Sequence, residues 1–357
     1  MRLKFHWRLL QGGEGGGATR LSQTTVDEAA LPDLEAQTAF CRSAVDVGMT
    51  SLLVDISYAK PDPVLLATAL AVRVPEIRLM VAIRSGLLSP TLFAQQVNTF
   101  SQLTGQRICL NVVAGYSPEE QRYYGDFLPH DERYARTAEF LEICNRIWDG
   151  APVTFGGNYY TVEEARIATA FEHGGIGRRP EIFIGGNSDP ARDLAIAQGS
   201  CWMRMADSPE VVAAAIAPVL AAGKEAGLRL SILCAPTRDE ALSRAEALVA
   251  SVNRNGDVTA TAERNFVHKT DSQSIQHAWK AAETEWLTPV LWTGAVRTHG
   301  APSIALVGDP DQVADGLLEF GRLGISQFIL SGWPKEEAMI FFGQEVIPRV
   351  RREEAGL

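Results

Sequence analysis
Apolar positions along this chain follow two alternating rhythms. Short apolar or β-branched runs predict buried strands, and the longer stretches between them, apolar every three or four residues, predict amphipathic helices. Strands are expected at Leu3–Leu10, Ser51–Asp55, Ile77–Ile83, Ile108–Val113, Glu181–Ile184, Cys201–Arg204, Arg229–Cys234 and Gln327–Leu330. Helices are expected at Leu34–Val47, Pro63–Val72, from the Ser89 N-cap to Phe100, Arg133–Trp148, Pro190–Gln198, Pro209–Ala226, Asp239–Val252, within Val307–Phe320, and at Pro334–Val350. Gly48, Gly150, Gly227 and Gly321 follow four of these and mark their ends.

Strand–helix alternation implies a parallel sheet with right-handed crossovers. Eight such units in 357 residues predict an α/β fold of the (β/α)8 TIM-barrel type, one domain spanning residues 1–357. Two stretches interrupt the repeat. Residues 151–179 read as an irregular excursion or hairpin. Residues 253–304 are longer and carry Trp279, Trp286, Trp292, Arg297 and His299. Their Thr293–Ser303 end is expected to form a mobile lid before the last strand.

Net charge is −10 with no long run of one sign, which argues against a nucleic-acid partner. The five cysteines, Cys41, Cys109, Cys144, Cys201 and Cys234, are widely spaced in apolar surroundings and read as buried thiols of a reducing compartment. Six histidines form no HxxxH pattern and no Cys/His cluster, so no metal site is expected. The longest apolar run, Leu65–Val72, is too short to cross a bilayer, and the first residues lack a signal-peptide pattern. A cytoplasmic protein is expected.

Two stretches carry the candidate chemistry. Asn111 ends a strand and Gly115 follows in the turn, and His130–Tyr134 then opens a helix. Gly185-Gly186-Asn187-Ser188 is a second glycine turn feeding a helix. Helix N-termini favour anions, and Tyr134 and Ser188 would add hydroxyl donors. Together they predict two arms of one phosphate site for a mononucleotide. The glycine-rich Gly12–Gly17 stretch meets a loose dinucleotide pattern, but the strand before it carries Lys4, His6 and Arg8, so a flexible loop is the better reading.

Nine short motifs in order carry a resemblance: Val81–Arg84, Ser89–Thr91, Asn111–Gly115, His130–Tyr134 with Ala138–Phe140, Gly185–Ser188, Leu291–Gly294, Val296–Arg297, Ala305–Asp309 and Leu330–Pro334. The chain resembles the bacterial luciferase-like flavin monooxygenases, most of all their alkanesulfonate monooxygenase branch. The resemblance implies a barrel that binds reduced FMN (FMNH2) as a co-substrate and activates O2 as a flavin peroxide. It also implies a separate NAD(P)H:flavin reductase, a small-molecule substrate, and a homo-oligomer, dimer or tetramer. By motif, Asn111 would face the ribityl chain, and Tyr134 and Ser188 the phosphate, beside Gly115, His130, Gly185, Gly186 and Asn187. Arg297 would close with the lid, and Arg229 and Trp333 would complete a catalytic set.

Departures from the sulfonate pattern cluster at the substrate end. Ser57-Tyr58-Ala59-Lys60 stands where a cysteine is usual, Arg204-Met205 where a tryptophan is, Ser231 where a histidine is, and Trp333 and Lys335 where a tyrosine and a histidine are. His6 and Arg8 replace apolar residues of the first strand. His6, Arg8, Ser57, Tyr58, Arg204 and Ser231 are therefore the expected substrate pocket, with an organosulfur compound or a specialised metabolite as substrate. Two other classes remain: an F420-dependent hydride-transfer enzyme on the same barrel, and a flavin-binding regulatory protein without turnover.

Overall fold
The computed structural model describes residues 1–11, 32–105, 107–171, 179–253 and 258–357. The Gly12–Gly17 stretch lies outside the described residues. Twelve strands are present among them: β1 (Lys4–Arg8), β2 (Ser51–Val54), β3 (Leu79–Ile83), β4 (Ile108–Val113), β5 (Val153–Gly156), β6 (Thr161–Ala165), β7 (Glu181–Gly185), β8 (Cys201–Met205), β9 (Glu225–Cys234), β10 (Leu291–Trp292), β11 (Ala305–Gly308) and β12 (Ile325–Gly332). Eight of them are parallel neighbours in the order β12-β1-β2-β3-β4-β7-β8-β9, and β9 pairs back with β12 to close the barrel. This is the (β/α)8 TIM barrel expected from the alternation. β5 and β6 form an antiparallel hairpin in the first interruption.

Helix starts follow local chemistry. Asp62, Ser89, Ser188, Ser208 and Asp309 each accept a backbone N–H at an N-terminus, and each precedes a proline in the first turn. Several boundaries shift by a few residues, and the widest shift is in the helix after β8. The Pro209 helix stops at Ala221, not Ala226, because Gly223 turns the chain at φ +71° and Glu225–Gly227 join β9. Gly227 faces the barrel interior, where a Cβ would lie 2.4 Å from Met203 Cε.

Alternate residues of each strand point inward and stack in layers. The middle of the interior is apolar, with Leu53, Met80, Ala82, Cys109, Phe183, Cys201, Met203 and Ile329 in one cluster. The amino-terminal layer below it is polar. Lys4 and Arg78 bridge Glu225 and Glu181 at 3.3 and 2.8 Å, and Gln327 donates its amide to both carboxylates. Gln327 thereby turns its Oε1 to His6 Nε2 (2.8 Å), so His6 donates there and its Nδ1 accepts from Ser51 Oγ (2.7 Å). Burial holds His6 neutral, lowering its pKa to about 4 against the opposing pull of Gln327 and Glu181.

That shift predicts an acid-labile barrel floor. The unfolded chain takes up the His6 proton near pH 6.5 and the folded chain only near pH 4, so this stability is complete above pH 6.5 and lost as pH falls toward 4. The loss amounts to roughly 3 kcal/mol. Urea unfolding of the wild type and of His6→Gln at pH 7.5 and pH 4 should show the wild type losing that much more than the variant. Equal losses would remove His6 from the account.

The 253–304 interruption contains the helices Val258–Lys269 and Gln273–Ala281, then β10 and a single turn at Val296–His299. β10 pairs antiparallel with β11, and β11 pairs with the end of β9. The Thr293–Ser303 segment, the expected lid, lies packed against the barrel mouth, with Thr293, Ala295, Val296, Thr298, Ala301 and Ser303 buried.

Candidate active site
A cavity of about 500 Å³ opens at the carboxyl ends of the barrel strands, the face where barrels of this type place their chemistry. One end is built by the two glycine-turn motifs. Asn111 is the fourth residue of β4 and points inward, and its Oδ1 is buried without a hydrogen-bond partner. Gly115 follows in the loop. The helix His130–Trp148 then starts at the rim, with His130 bonded to Asp131 (2.7 Å) and its ring 5.1 Å from that of Tyr134. The Tyr134 hydroxyl donates to Gly185 O (3.0 Å), and burial pushes its pKa up to about 12, so it stays a donor at neutral pH.

Gly186 has φ +145°, and a Cβ there would lie 2.3 Å from the Tyr134 hydroxyl and 2.9 Å from Ala191 Cβ. Only glycine permits this approach. Ser188 is buried and caps the Asp189–Gln198 helix, accepting from Ala191 N–H at 3.4 Å. Asn187 accepts from Met205 N–H (2.9 Å), which fixes the loop against β8. Two helix N-termini thus converge on one end of the cavity, beside one tyrosine and one serine hydroxyl.

The remaining walls of the cavity carry most of its cations. Arg8 from β1 pairs with Asp55, and Lys60 pairs with the same carboxylate at 2.9 Å. Burial alone would raise the Asp55 pKa, but the two cations hold it well below the usual carboxylate range. Arg84, just beyond β3, forms an ion pair of 2.9 Å with Glu120, both side chains less than a tenth exposed. Glu120 also accepts the Tyr58 N–H (2.8 Å), placing Tyr58 and Ser57 at the rim. Arg229 from β9 donates to Leu230 O (2.6 Å) and Ser331 Oγ (3.1 Å), and Ser331 is 3.1 Å from Ser231 Oγ. Ser231 in turn donates to Pro302 O (2.7 Å), tying the insertion to the barrel. Arg204 reaches the cavity rim from β8, donating to Val211 O (3.3 Å) with its guanidinium 5.7 Å from the Trp202 ring; burial lowers its pKa. Trp333 lies edge-on to His299, ring centroids 5.8 Å apart, and both line the cavity.

Two expected site residues lie elsewhere. His6 does not line the pocket: it sits in the polar floor, below the apolar middle layer, because its place in β1 is one inward step lower than Arg8. Arg297 does not line the pocket either. Its side chain points outward, stacks 4.7 Å over Trp279 and donates to Ala282 O (3.3 Å). The single turn at Val296–His299 sends Arg297 to the surface and His299 into the cavity. Asp55, Glu120, His299 and the Ser272–Ile275 segment were not marked as site residues by sequence reasoning. Asp55 carried a signal as the last residue of the strand expected at Ser51–Asp55, and it directly follows β2; the other three sit in loops or short helices with no motif.

A closed (β/α)8 barrel with a built cavity at the carboxyl ends of its strands defines a barrel enzyme. The chain belongs to the luciferase-like monooxygenase family, whose profile matches residues 9–327. It is thus a flavin-dependent monooxygenase by class. Solved structures share the fold over nearly the full chain. A riboflavin lyase, RcaE, with modified FMN and riboflavin is 18% identical, covers 99% of this chain and 92% of its own, and has a TM-score of 0.76. DmoA from Hyphomicrobium sulfonivorans is 19% identical (99% and 88% covered, TM-score 0.74). The EDTA monooxygenase EmoA from Chelativorans sp. BNC1 is 21% identical (99% and 94% covered, TM-score 0.73).

Proposed function
We propose that the protein is a two-component monooxygenase that takes FMNH2 from a separate NAD(P)H:flavin reductase and oxygenates a small organic anion with O2. The substrate class fits an organosulfur compound or a specialised metabolite, related to the sulfonates of the alkanesulfonate branch. The observation that carries the reading is the cavity's two unlike ends. At one, the residues fit a flavin mononucleotide. Gly186 lets the turn pack against Tyr134 and Ala191 where no Cβ fits, Tyr134 and Ser188 present hydroxyls beside two helix N-termini, and the buried Asn111 Oδ1 has no partner in the protein. At the other stand Arg8, Lys60 and Arg229, and over the whole cavity seven Arg or Lys stand against three Asp or Glu among the described residues, in a chain of net charge −10. A flavin phosphate balances part of that excess, and an anionic substrate the rest.

Bound flavin supplies the oxygen chemistry. The protein's own residues bind, orient and keep water out. Tyr134 and Ser188 would hold the phosphate at the two helix N-termini, with Gly185, Gly186 and Asn187 shaping the turn between them, and Asn111 would hold the ribityl hydroxyls. Arg229, braced by Ser331 and Ser231, would bind the substrate head group together with Arg8 and Lys60. Trp333 and His299 would form the wall over the reacting region, limiting water there. Arg297 has no part in this reading.

Anaerobic titration with FMNH2 and, separately, with reduced F420 tests it. Tryptophan fluorescence should saturate with FMNH2, and Tyr134→Phe and Ser188→Ala should each weaken that binding roughly tenfold. Saturation by F420 in place of FMNH2 would move the protein to hydride transfer. Tight retention of oxidised flavin with no substrate-dependent reaction would indicate a regulatory protein.

A further inference from the structure
The long insertion grips the barrel mouth at a segment that carries no motif. Arg133 is only 1% exposed, although it opens the His130–Trp148 helix. Its guanidinium is used from three sides. Nε donates to Ala114 O (2.9 Å), just beyond β4, and Nη1 to Leu128 O (2.8 Å). Nη2 donates to both oxygens of Asp271, at 2.9 and 3.0 Å. Asp271 lies in the link between the Val258–Lys269 and Gln273–Ala281 helices. Thr270, beside it, donates its hydroxyl to Tyr116 O. Ser274 accepts from Asn187 N–H (2.9 Å) and donates to Asn187 Oδ1 (3.2 Å). Residues 270–275 thus form a strap tied to the loops after β4 and β7, and Ser272, Ser274 and Ile275 line the cavity beneath it.

We propose that Arg133 is a positioning residue. Its pairing with Asp271, together with the Ser274–Asn187 contact, fastens the strap over the phosphate end of the cavity and sets the rate at which flavin enters and leaves. The inference rests on the flavin reading above. The two halves of the fastening differ. Arg133 is held in place by two carbonyls whether or not Asp271 is present, so little side-chain freedom is lost when the pair forms. Asp271 sits on the strap with its side chain 37% exposed, so on opening its carboxylate passes readily into water. The strap can therefore lift without disturbing β4. Asn187 ties the strap to the cofactor end directly, because the N–H bonded by Ser274 belongs to the same loop as Gly186 and Ser188. A flavin that is a co-substrate must exchange in every cycle, so the strength of this fastening acts on turnover through flavin exchange.

The test uses anaerobically reduced FMN with the full chain, as wild type, Asp271→Asn, Ser274→Ala and Arg133→Lys. Flavin release is followed by fluorescence recovery on dilution, and strap opening by hydrogen–deuterium exchange. FMNH2 should slow exchange of residues 270–275 in the wild type. Asp271→Asn should restore fast exchange there and speed release roughly tenfold, leaving β4 exchange unchanged. Ser274→Ala should act in the same direction. Arg133→Lys should loosen both the strap and the 114–128 loop, since one ammonium cannot bridge three acceptors in this geometry. If the wild type binds FMNH2 and both Asp271→Asn and Ser274→Ala release it at the wild-type rate, the strap inference is overturned while the flavin reading stands. If the wild type binds no FMNH2, the flavin reading falls and the inference with it.

Discussion
Replacing Gly186 with alanine should weaken FMNH2 binding by roughly 100-fold or more, with the barrel still folded. Three effects coincide at this position. Its φ of +145° is strained for any side chain. The new methyl would sit 2.3 Å from the Tyr134 hydroxyl, and that ring is buried and cannot swing into solvent. It would also press on Ala191, in the helix that Ser188 caps. Relief requires moving Tyr134 off Gly185 or displacing the Ser188 turn, and either change separates the two phosphate arms. Fluorescence titration, with circular dichroism to verify folding, measures the effect. Affinity within threefold of wild type would mean that this turn does not touch the flavin.

The second large effect falls on stability. Glu120→Ala should cost about 3–5 kcal/mol, because it strands a buried guanidinium. Arg84 already has Nε and Nη1 without partners, so losing Glu120 removes its one carboxylate among the described residues. The Tyr58 N–H would lose its acceptor as well, loosening the rim at Ser57 and Tyr58. A double variant, Arg84→Met with Glu120→Leu, should recover most of the loss, since burying neither charge avoids the desolvation cost. Urea unfolding of the single and double variants decides the matter. A cost below about 1 kcal/mol for Glu120→Ala would show that water reaches Arg84.

The barrel was legible because its strands are short, apolar and separated by helices with clear caps; β4 spans the residues expected of it. Boundaries failed where the sequence hides a turn, as at Gly223, where helical apolar spacing runs on into β9. β10 and β11 were missed because runs of two and four residues carry too little periodicity. At the site, the glycine turns announced themselves, since tight turns before helices need particular residues. His6 misled because alternation fixes which side of a strand a residue faces, not its depth in the barrel. Arg297 lies on the outer side because a single helical turn decides between surface and cavity, and the sequence around it serves either. The strap was invisible: Arg133, Asp271 and Ser274 are polar residues far apart in the chain, and only the fold brings them together.

The proposed function has this protein insert one atom of O2 into a small organic anion at the expense of reduced FMN. The most direct measurement supplies 18O2, FMNH2 from an NAD(P)H:flavin reductase, and a panel of organic sulfonates and carboxylates, and reads product masses. The account predicts that at least one anion gains a single 18O atom, in amounts that fall when Arg229 is replaced by Met. Flavin oxidation yielding only peroxide with every anion, while a neutral panel takes up the label, would contradict it.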